Sequence, residues 1–338
     1  MRVLVTGGHG YIGTHLVEIL KAEGHSVTDV ELSLFEGCEF DAFVKADNLL
    51  LQDFRTLKVH QMEGYDCVMH LAALSNDPMG DLDSFATYSI NRDGSIALAA
   101  LAKKAGVPRF LFASSCSIYG KGEKLDLSEQ DPTNPISAYA ESKIAAEEAI
   151  GKLADQNFTV GILRNSTAYG YSPMLRIDLV VNNLLGCALA RGDIRIMSDG
   201  TPWRPLIHCR DIARAFVAFA KAPAEQIQNM PINVGANAEN YQVKQVGDYV
   251  QKLVPTASVV YTGEIGNDPR NYRVSFDLLN KQIPDFKLAY TLESGMEDLH
   301  KKMVEHKFSL EDFNGDRFVR LRTLKNRLDR IAVAATYK

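Results

Sequence analysis

The fold of this chain is decided by one stretch, Val3-Leu4-Val5-Thr6-Gly7-Gly8-His9-Gly10-Tyr11-Ile12-Gly13. An apolar, β-branched run stops there at a glycine-rich turn, and an apolar-periodic segment follows from Leu16 to Leu20. This order predicts a strand, a tight loop and a helix. In such a loop one glycine permits the sharp turn, another lets backbone N–H groups approach a pyrophosphate, and a third lets the helix pack closely on the sheet. The helix also presents its positive N-terminal end to phosphates.

The next predicted strand, Val27 to Glu31, indicates which dinucleotide the loop would bind. Glu31 follows the glycines by about 20 residues, where an acidic side chain accepts hydrogen bonds from the adenosine ribose of NAD. Residues 32–36 contain no Arg or Lys for a 2′-phosphate. The sequence therefore predicts NAD rather than NADP. With Glu31, the candidate cofactor contacts of this region are Gly7, Gly10, Tyr11, Ile12 and Gly13.

Composition and charge set the class of protein. The chain has 338 residues, of which 46% are hydrophobic and 23% charged, as in ordinary globular proteins. This length allows one large α/β domain or two coupled domains. The net charge of −5 gives no electrostatic support for a nucleic-acid partner. No apolar run approaches the ~18 residues of a membrane span, and no signal peptide precedes the first strand, so we expect a soluble, cytoplasmic protein.

The cysteines and histidines show no metal-binding pattern. The five cysteines, Cys38, Cys67, Cys116, Cys187 and Cys209, form no CxxC pair, and the histidines show no HExxH spacing. Free thiols in a reducing compartment are the best interpretation, and we expect no metal.

Two acidic residues compete for the adenine amino group. The segment Leu49–Phe54 predicts a short strand that ends at Asp53, beside Phe54. Asp47 competes with Asp53 for this role, and periodicity does not separate them. Asp53 and Phe54 are the candidate contacts.

The run Asp66–Ala73 predicts a buried parallel strand that ends in small residues. Small side chains are needed where a backbone runs beneath a dinucleotide, so Leu71, Ala72 and Ala73 are candidate cofactor contacts. His70 lies inside this apolar run, and we interpret it as a core histidine.

Further elements continue the alternation of strands and helices through residue 165. A helix over 84–105 carries Asn91, and the strand Arg109–Ala113 opens into Ser114-Ser115-Cys116-Ser117-Ile118-Tyr119-Gly120. Twenty residues after Tyr119 comes Tyr139-Ala140-Glu141-Ser142-Lys143. This alternation predicts an α/β fold with a doubly wound parallel sheet.

Tyr139 and Lys143 are four residues apart in a helical segment and share one face. A tyrosine has an ordinary pKa of about 10, too high for a base at neutral pH. We expect the Lys143 ammonium, with a positive nicotinamide ring, to favour the phenolate. Tyr139 would then take a proton from a substrate hydroxyl while hydride leaves the same carbon, and Ser115 would hold that oxygen.

The three motifs together resemble the extended short-chain dehydrogenase/reductase family, and within it the nucleotide-sugar epimerases. The resemblance covers residues 1 to about 290. It implies a Rossmann-type sheet with a smaller α/β substrate-binding domain, and a catalytic set of Ser115, Tyr139 and Lys143. Asn91 and Ser114 join Tyr139 and Lys143 as candidate cofactor contacts, and a homodimer is the expected assembly.

The two positions after Ser115 distinguish branches of this family. Sugar 4,6-dehydratases carry an Asp-Glu pair there, and decarboxylases usually keep a glutamate at the second position. This chain has Cys116-Ser117, which argues against both reactions. We interpret Cys116 as a packing thiol, since it is one residue out of register with the reactive cysteine of 3,5-epimerases.

The second half of the chain carries the expected substrate contacts. Thr167 stands where family members commonly have an asparagine, and the resemblance places Asn183 at the substrate pyrophosphate. Arg204 matches a diphosphate-binding arginine, since a guanidinium fork suits two phosphate oxygens. Arg270 is the preferred second arginine, with Arg273 as its rival. The candidate contacts to a nucleotide-diphosphate sugar are Ser75, Ser115, Cys116, Ser117, Thr167, Asn183, Arg204 and Arg270.

These observations lead to one expectation with two alternatives. We expect residues 1–170 and 206–236 to bind NAD, residues 171–205 and 237–307 to bind the nucleotide sugar, and residues 308–338 to form a helical extension. The expected activity is inversion of C4 through a 4-keto intermediate, with Tyr139 as base. The alternatives are a 4-ketoreductase or dehydrogenase using the same residues, and a non-catalytic dinucleotide sensor.

Overall fold

The computed structural model describes residues 1–75, 77–80, 83–121, 126–228, 230–263 and 270–336. Within these ranges the strands are β1 (Arg2–Thr6), β2 (Ser26–Glu31), β3 (Asn48–Leu51), β4 (Cys67–His70), β5 (Arg109–Ser115), β6 (Thr159–Asn165), β7 (Thr167–Tyr169), β8 (Asp193–Ile196), β9 (Trp203–His208), β10 (Pro231–Val234), β11 (Asn240–Gln242) and β12 (Ser258–Tyr261).

The α-helices of the same ranges are α1 (Gly13–Ala22), α2 (Asp77–Gly80), α3 (Ser84–Thr87), α4 (Ser95–Lys104), α5 (Ala138–Gly151), α6 (Val180–Arg191), α7 (Cys209–Lys221), α8 (Ala224–Ile227), α9 (Val243–Leu253), α10 (Asp277–Gln282), α11 (Leu292–Glu305), α12 (Leu310–Asn314) and α13 (Arg320–Thr336).

Among the described residues, seven strands form a parallel sheet in the order β10-β6-β5-β4-β1-β2-β3. The strand order reverses at β1, which lies between β4 and β2. Ligands of open α/β sheets bind outside the carboxyl ends of the strands at such a reversal. The predicted doubly wound α/β fold is confirmed, and residues 231–234 return to the sheet as its edge strand beside β6.

Both faces of this sheet are buried, as the continuous apolar runs of its strands require. Val3 and Val5 pack with α1 and α7 on one face, while Leu4 packs with α4 and α5 on the other. All three side chains are inaccessible to solvent. The sheet is therefore fixed from both sides, and the ends of its strands provide a rigid edge.

The remaining strands lie in two small sheets. Strands β11, β9 and β7 form one, and β12 and β8 form the other. They share an apolar cluster with α6, α9 and α11. The predicted amphipathic segment after residue 308 forms α12 and α13, and Phe308 and Phe318 bury their rings in the same cluster.

The predicted helix over 84–105 contains a π-helical turn. Residues 84–87 and 95–104 are α-helical, but Tyr88–Gly94 forms a π-helix. A π-turn accommodates an additional residue and is frequent at functional sites. Here it carries the buried Asn91.

Candidate active site

A cavity of about 1130 Å³ opens where the strand order reverses. It exceeds the roughly 300–1,000 Å³ of ordinary small-molecule sites, so it has room for two large ligands. Its lining residues come from the ends of β1, β2, β4 and β5, from α5, and from the second half of the chain. The predicted cofactor contacts on its lining are Gly7, Gly10, Tyr11, Ile12, Gly13, Glu31, Asp53, Phe54, Leu71, Ala72, Ala73, Ser114, Tyr139 and Lys143.

Two glycines of the loop are required by geometry. Gly7 has φ +81°, a conformation that side-chain-bearing residues rarely adopt. A Cβ on Gly13 would lie 2.1 Å from the Gly7 carbonyl oxygen, so α1 can approach the loop only because this residue is glycine. The loop is thus shaped as the sequence predicts, with its backbone on the cavity.

Sequence reasoning missed a carboxylate beneath the loop. Asp29 is fully buried, and its Oδ1 accepts a hydrogen bond of 2.8 Å from the Gly8 N–H. Burial and the nearby charge of Glu31 raise the pKa of Asp29 to about 7. The sequence signal that could have identified Asp29 is an acidic residue within the apolar run of the second strand.

The acidic candidates for the adenosine end lie in different surroundings. Glu31 lines the cavity and accepts a hydrogen bond from the His9 N–H. Asp53 also lines it, but its carboxylate is engaged by the Arg55 guanidinium at 2.6 Å. Asp47 does not line the cavity and accepts from Lys21 and the backbone of β2.

A chain of buried polar groups connects the end of β4 to the π-turn. His70 Nδ1 lies 2.6 Å from Thr6 Oγ1, and its Nε2 lies 2.8 Å from Ser95 Oγ. Burial lowers the pKa of His70 to about 3, so it is the neutral core residue that the sequence predicts. Asn91 bonds both the N–H and the carbonyl of Leu74. It lies outside the cavity lining and acts on the backbone after β4.

Ser115, Tyr139 and Lys143 all line the cavity. Ser137 caps the start of α5 by accepting from the Ala140 N–H, and this helix presents Tyr139 and Lys143 one turn apart. The Ser115 hydroxyl lies close enough to the Tyr139 phenol to favour its ionised form. Lys143 Nζ donates a 2.7 Å hydrogen bond to the Ala113 carbonyl. The structure thus brings the three predicted residues together.

The electrostatics of this group differ from the sequence-based expectation. Burial, followed by the charge of Asp77, raises the pKa of Tyr139 to about 12, although the neighbouring Ser115 hydroxyl opposes this shift. Burial lowers the pKa of Lys143 to about 7, against the charge of Glu147. Both shifts have one cause, since a buried site disfavours phenolate and ammonium alike. Among the charges, those of Arg176 and Arg270 lower the pKa of Tyr139.

A buried ion pair supports the end of β5. Ser114 Oγ donates to Glu147, which is engaged by the Arg164 guanidinium at 2.7 Å. Arg164 also reaches the hydroxyl of Tyr119 at 3.1 Å. This network holds Ser114 in place from below, while its neighbour Ser115 faces Tyr139.

A second wall of the cavity, which adjoins the start of α5, is formed by paired charges. Arg270 lies 2.7 Å from Asp77, and Arg176 binds Asp178 at 2.8 Å while donating to Ser75 at 3.2 Å. Asp77 and Arg176 were not singled out from the sequence, because a single charged residue in a loop carries no pattern. The predicted substrate contacts on the cavity lining are Ser75, Ser115, Ser117, Thr167 and Arg270.

Three predicted substrate contacts lie outside the cavity lining. The Cys116 sulfur is buried and donates to the Arg164 carbonyl at 3.2 Å, in agreement with a packing thiol. Asn183 donates to the Ile177 carbonyl. Arg204 donates to the carbonyls of Trp203 and Arg270, so it contacts the backbone of the second arginine. Arg273, the rival of Arg270, pairs with Asp126 instead.

All five cysteines are free and buried. In the part of the chain that the structure describes, no cluster of His, Cys, Asp or Glu could hold a metal ion. Nor does any described helix combine the length and the apolar character needed to cross a membrane.

Comparison with known proteins assigns the family. The sequence model of the NAD dependent epimerase/dehydratase family matches residues 3–235 of this chain. The chain is 25% identical over 317 residues to UDP-glucuronic acid decarboxylase 1 of Xenopus tropicalis, covering 90% of this chain and 73% of that protein. It is 28% identical over 271 residues to UDP-glucose 4-epimerase of Lactobacillus helveticus, and the match covers 75% of this chain and 82% of that protein.

A solved structure shares the fold over almost its whole length. This is TunA, an NAD dependent NDP-hexosamine 5,6-dehydratase of tunicamycin biosynthesis, with a TM-score of 0.81, 26% identity, and coverage of 90% of this chain and 98% of that chain. Relatives thus include an epimerase, a decarboxylase and a dehydratase. With the glycine loop, Glu31 and the Ser-Tyr-Lys group on one cavity, the chain belongs to the NAD dependent epimerase/dehydratase family of extended short-chain dehydrogenases/reductases, whose cofactor is NAD.

Proposed function

We propose that the protein is a nucleotide-sugar epimerase that inverts C4 through a 4-keto intermediate. The observation that carries this proposal is that Ser115 and Tyr139 are neighbours on the cavity lining, and that Cys116 and Ser117 follow Ser115 in the chain. The Cys116 sulfur donates to the Arg164 carbonyl in the protein interior, and Ser117 carries only a hydroxyl group. Neither residue supplies the second acid–base group that elimination of water requires.

The residues present fit NAD. A Cβ at Gly13 would collide with the loop, and the backbone of residues 7–13 lines the cavity at the start of α1. The N-terminus of that helix favours a diphosphate. The Glu31 carboxylate lies on the lining, where it can accept from ribose hydroxyls.

Tyr139 and Ser115 would handle the proton of the C4 hydroxyl. Ser115 would hold the oxygen in place, and Tyr139 would accept its proton as the carbon is oxidised. NAD, when bound, supplies the hydride acceptor and a positive ring beside the phenol. This charge matters because burial raises the pKa of Tyr139 to about 12 in the protein alone. The same phenol would return the proton after the sugar has turned.

The second wall suits the diphosphate of the substrate. Arg270 and Arg176 both line the cavity, and guanidinium groups bind phosphate oxygens through two parallel hydrogen bonds. Anchoring the diphosphate there would leave the sugar free to present either face to Tyr139. That freedom is what an epimerase needs and a one-way reductase does not.

The test is to identify the nucleotide released from the denatured protein and to incubate the intact protein with a panel of nucleotide sugars. We expect bound NAD and a product of unchanged mass, shown by NMR to be the C4 epimer, without added cofactor. Loss of water or of carbon dioxide would identify a dehydratase or a decarboxylase. A change of two hydrogens that requires added cofactor would identify a reductase or dehydrogenase, and each of these results would overturn the proposal.

A further inference from the structure

Arg320 is a buried charge at the start of α13, outside the part of the chain that the family description matches. Its side chain is 3% exposed and lines the cavity. The guanidinium lies 4.1 Å above the ring of Phe35, and Nη2 donates to the Met174 carbonyl at 3.3 Å. Nη1 is buried and has no hydrogen-bond partner among the described residues.

Among the described residues, no carboxylate is hydrogen-bonded to the Arg320 guanidinium. The nearby carboxylate of Asp178 is already held by both nitrogens of the Arg176 fork, at 3.0 and 2.8 Å. Burial and the positive charge of Arg176 lower the pKa of Arg320 to about 10, against the attraction of Asp178 and Glu31. A buried charge without a partner is costly. An anion in the cavity would remove that cost.

The position of Arg320 indicates which anion it meets. Met174, which accepts from Arg320, also donates from its N–H to Ser172 Oγ, and this hydroxyl donates to the Tyr11 carbonyl of the glycine loop at 2.8 Å. Phe35, on the other side of the guanidinium, follows the ribose-binding position at the end of β2. Arg320 therefore lies at the cofactor end of the cavity.

Neighbouring arginines fix this segment on the same loop. Arg317 donates to the Glu39 carbonyl, and Arg327 donates to the carbonyls of Glu36 and Ser33. The backbone that follows β2 is thus held by the segment that carries Arg320. This attachment holds the start of α13, and with it Arg320, against the cavity lining.

We propose that Arg320 is a cofactor-binding residue whose guanidinium donates to the diphosphate of NAD. This role concerns cofactor binding and does not depend on which sugar reaction the enzyme catalyses. It assigns to the segment after residue 308 a direct part in the dinucleotide site. A charge-assisted hydrogen bond to a diphosphate would contribute roughly 10- to 100-fold in affinity.

The test compares Arg320→Gln with Arg322→Gln in the full chain. Arg322 is exposed, lies on the same helix, and donates to the Asn314 carbonyl away from the cavity. Calorimetry would measure the dissociation constants of NAD, ADP-ribose and UDP. We expect Arg320→Gln to weaken NAD and ADP-ribose roughly 10- to 100-fold and to leave UDP unchanged, with wild-type affinities in Arg322→Gln.

Two further readouts separate binding from a structural role. Without ligand, Arg320→Gln should melt no lower than the wild type, because the substitution removes an unpartnered buried charge. Arg320→Lys, which keeps the charge but loses the fork, should bind ADP-ribose with intermediate affinity. The proposal would be overturned if Arg320→Gln bound ADP-ribose with unchanged affinity, or if it lost affinity for UDP alone. Failure of both Arg320 variants to fold would also overturn it.

Discussion

The two walls of the cavity hold their polar groups in different ways. On the wall of β1, β4, β5 and α5, side chains such as Ser115 and Lys143 are fixed by strand ends and backbone carbonyls, and they face the cavity. On the second wall, Arg270 and Arg176 are each paired with a protein carboxylate. The first wall is complete before ligands arrive, whereas we expect the second wall to exchange its ion pairs for contacts to phosphate.

This difference separates the expected effects of substitution. Changes on the first wall should affect chemistry or cofactor binding, because those groups meet the reacting atoms directly. Changes on the second wall should affect substrate affinity, and removal of a carboxylate should have the opposite sign from removal of its arginine.

The largest effect is expected for Tyr139→Phe. The variant should keep NAD and lose turnover by roughly 10²–10⁴-fold, the usual contribution of a positioned acid–base group. Steady-state kinetics and the NAD content of the purified variant would measure this. Near-normal turnover in a variant that retains its full content of NAD would show that Tyr139 takes no part in the reaction. The two walls would then not differ in the way we expect.

On the second wall, Arg270→Gln should raise KM for the nucleotide sugar roughly 10- to 100-fold with little change in kcat, since it removes the charge-assisted contact to phosphate that we propose. Arg273→Gln is the matched control, because Arg273 pairs with Asp126 and stacks on Trp203 outside the cavity. A larger KM effect in the control than in Arg270→Gln would reverse the choice between the two arginines.

Beneath the glycine loop, Asp29→Asn should change the pH dependence of stability. The folded-state pKa of Asp29, about 7, lies above the ordinary value near 4, so its stabilising contribution is full at low pH and is lost as pH rises through 7. The variant keeps an acceptor for the Gly8 N–H. Its free energy of unfolding relative to wild type should therefore rise between pH 5 and pH 8 by at least about 1.4 kcal/mol, one pKa unit. Parallel pH profiles in urea titrations would show that Asp29 is ionised throughout.

The smallest effect is expected for Asp77→Asn, which releases Arg270 from a partly exposed ion pair. Such pairs contribute up to about 1 kcal/mol, so KM for the nucleotide sugar should fall by up to about fivefold. Because the charge of Asp77 raises the pKa of Tyr139, the acidic limb of the pH–rate profile should also move to lower pH. A higher KM in Asp77→Asn would mean that Asp77 positions Arg270 and does not compete for it.

The sequence predicted the first wall far better than the second. The carboxyl ends of parallel strands meet at one edge by topology alone, so Gly7, Glu31 and Ser115 could be placed together from strand order. The partners of Arg270 and Arg176 depend on how loops dock, which no periodicity encodes. Arg204, chosen from a motif, contacts the backbone of Arg270. Arg320 had no signal beyond being one of several basic residues on an amphipathic helix.

The hold of Arg317 and Arg327 on the loop after β2 has a consequence for the order of folding. These contacts join residues 278 and 291 positions apart in the chain. Contacts of such long range are made late, because the entropy of closing the intervening chain must be overcome first. The central sheet can therefore assemble early, while the adenosine end of its cavity acquires its final shape only when the last helices dock.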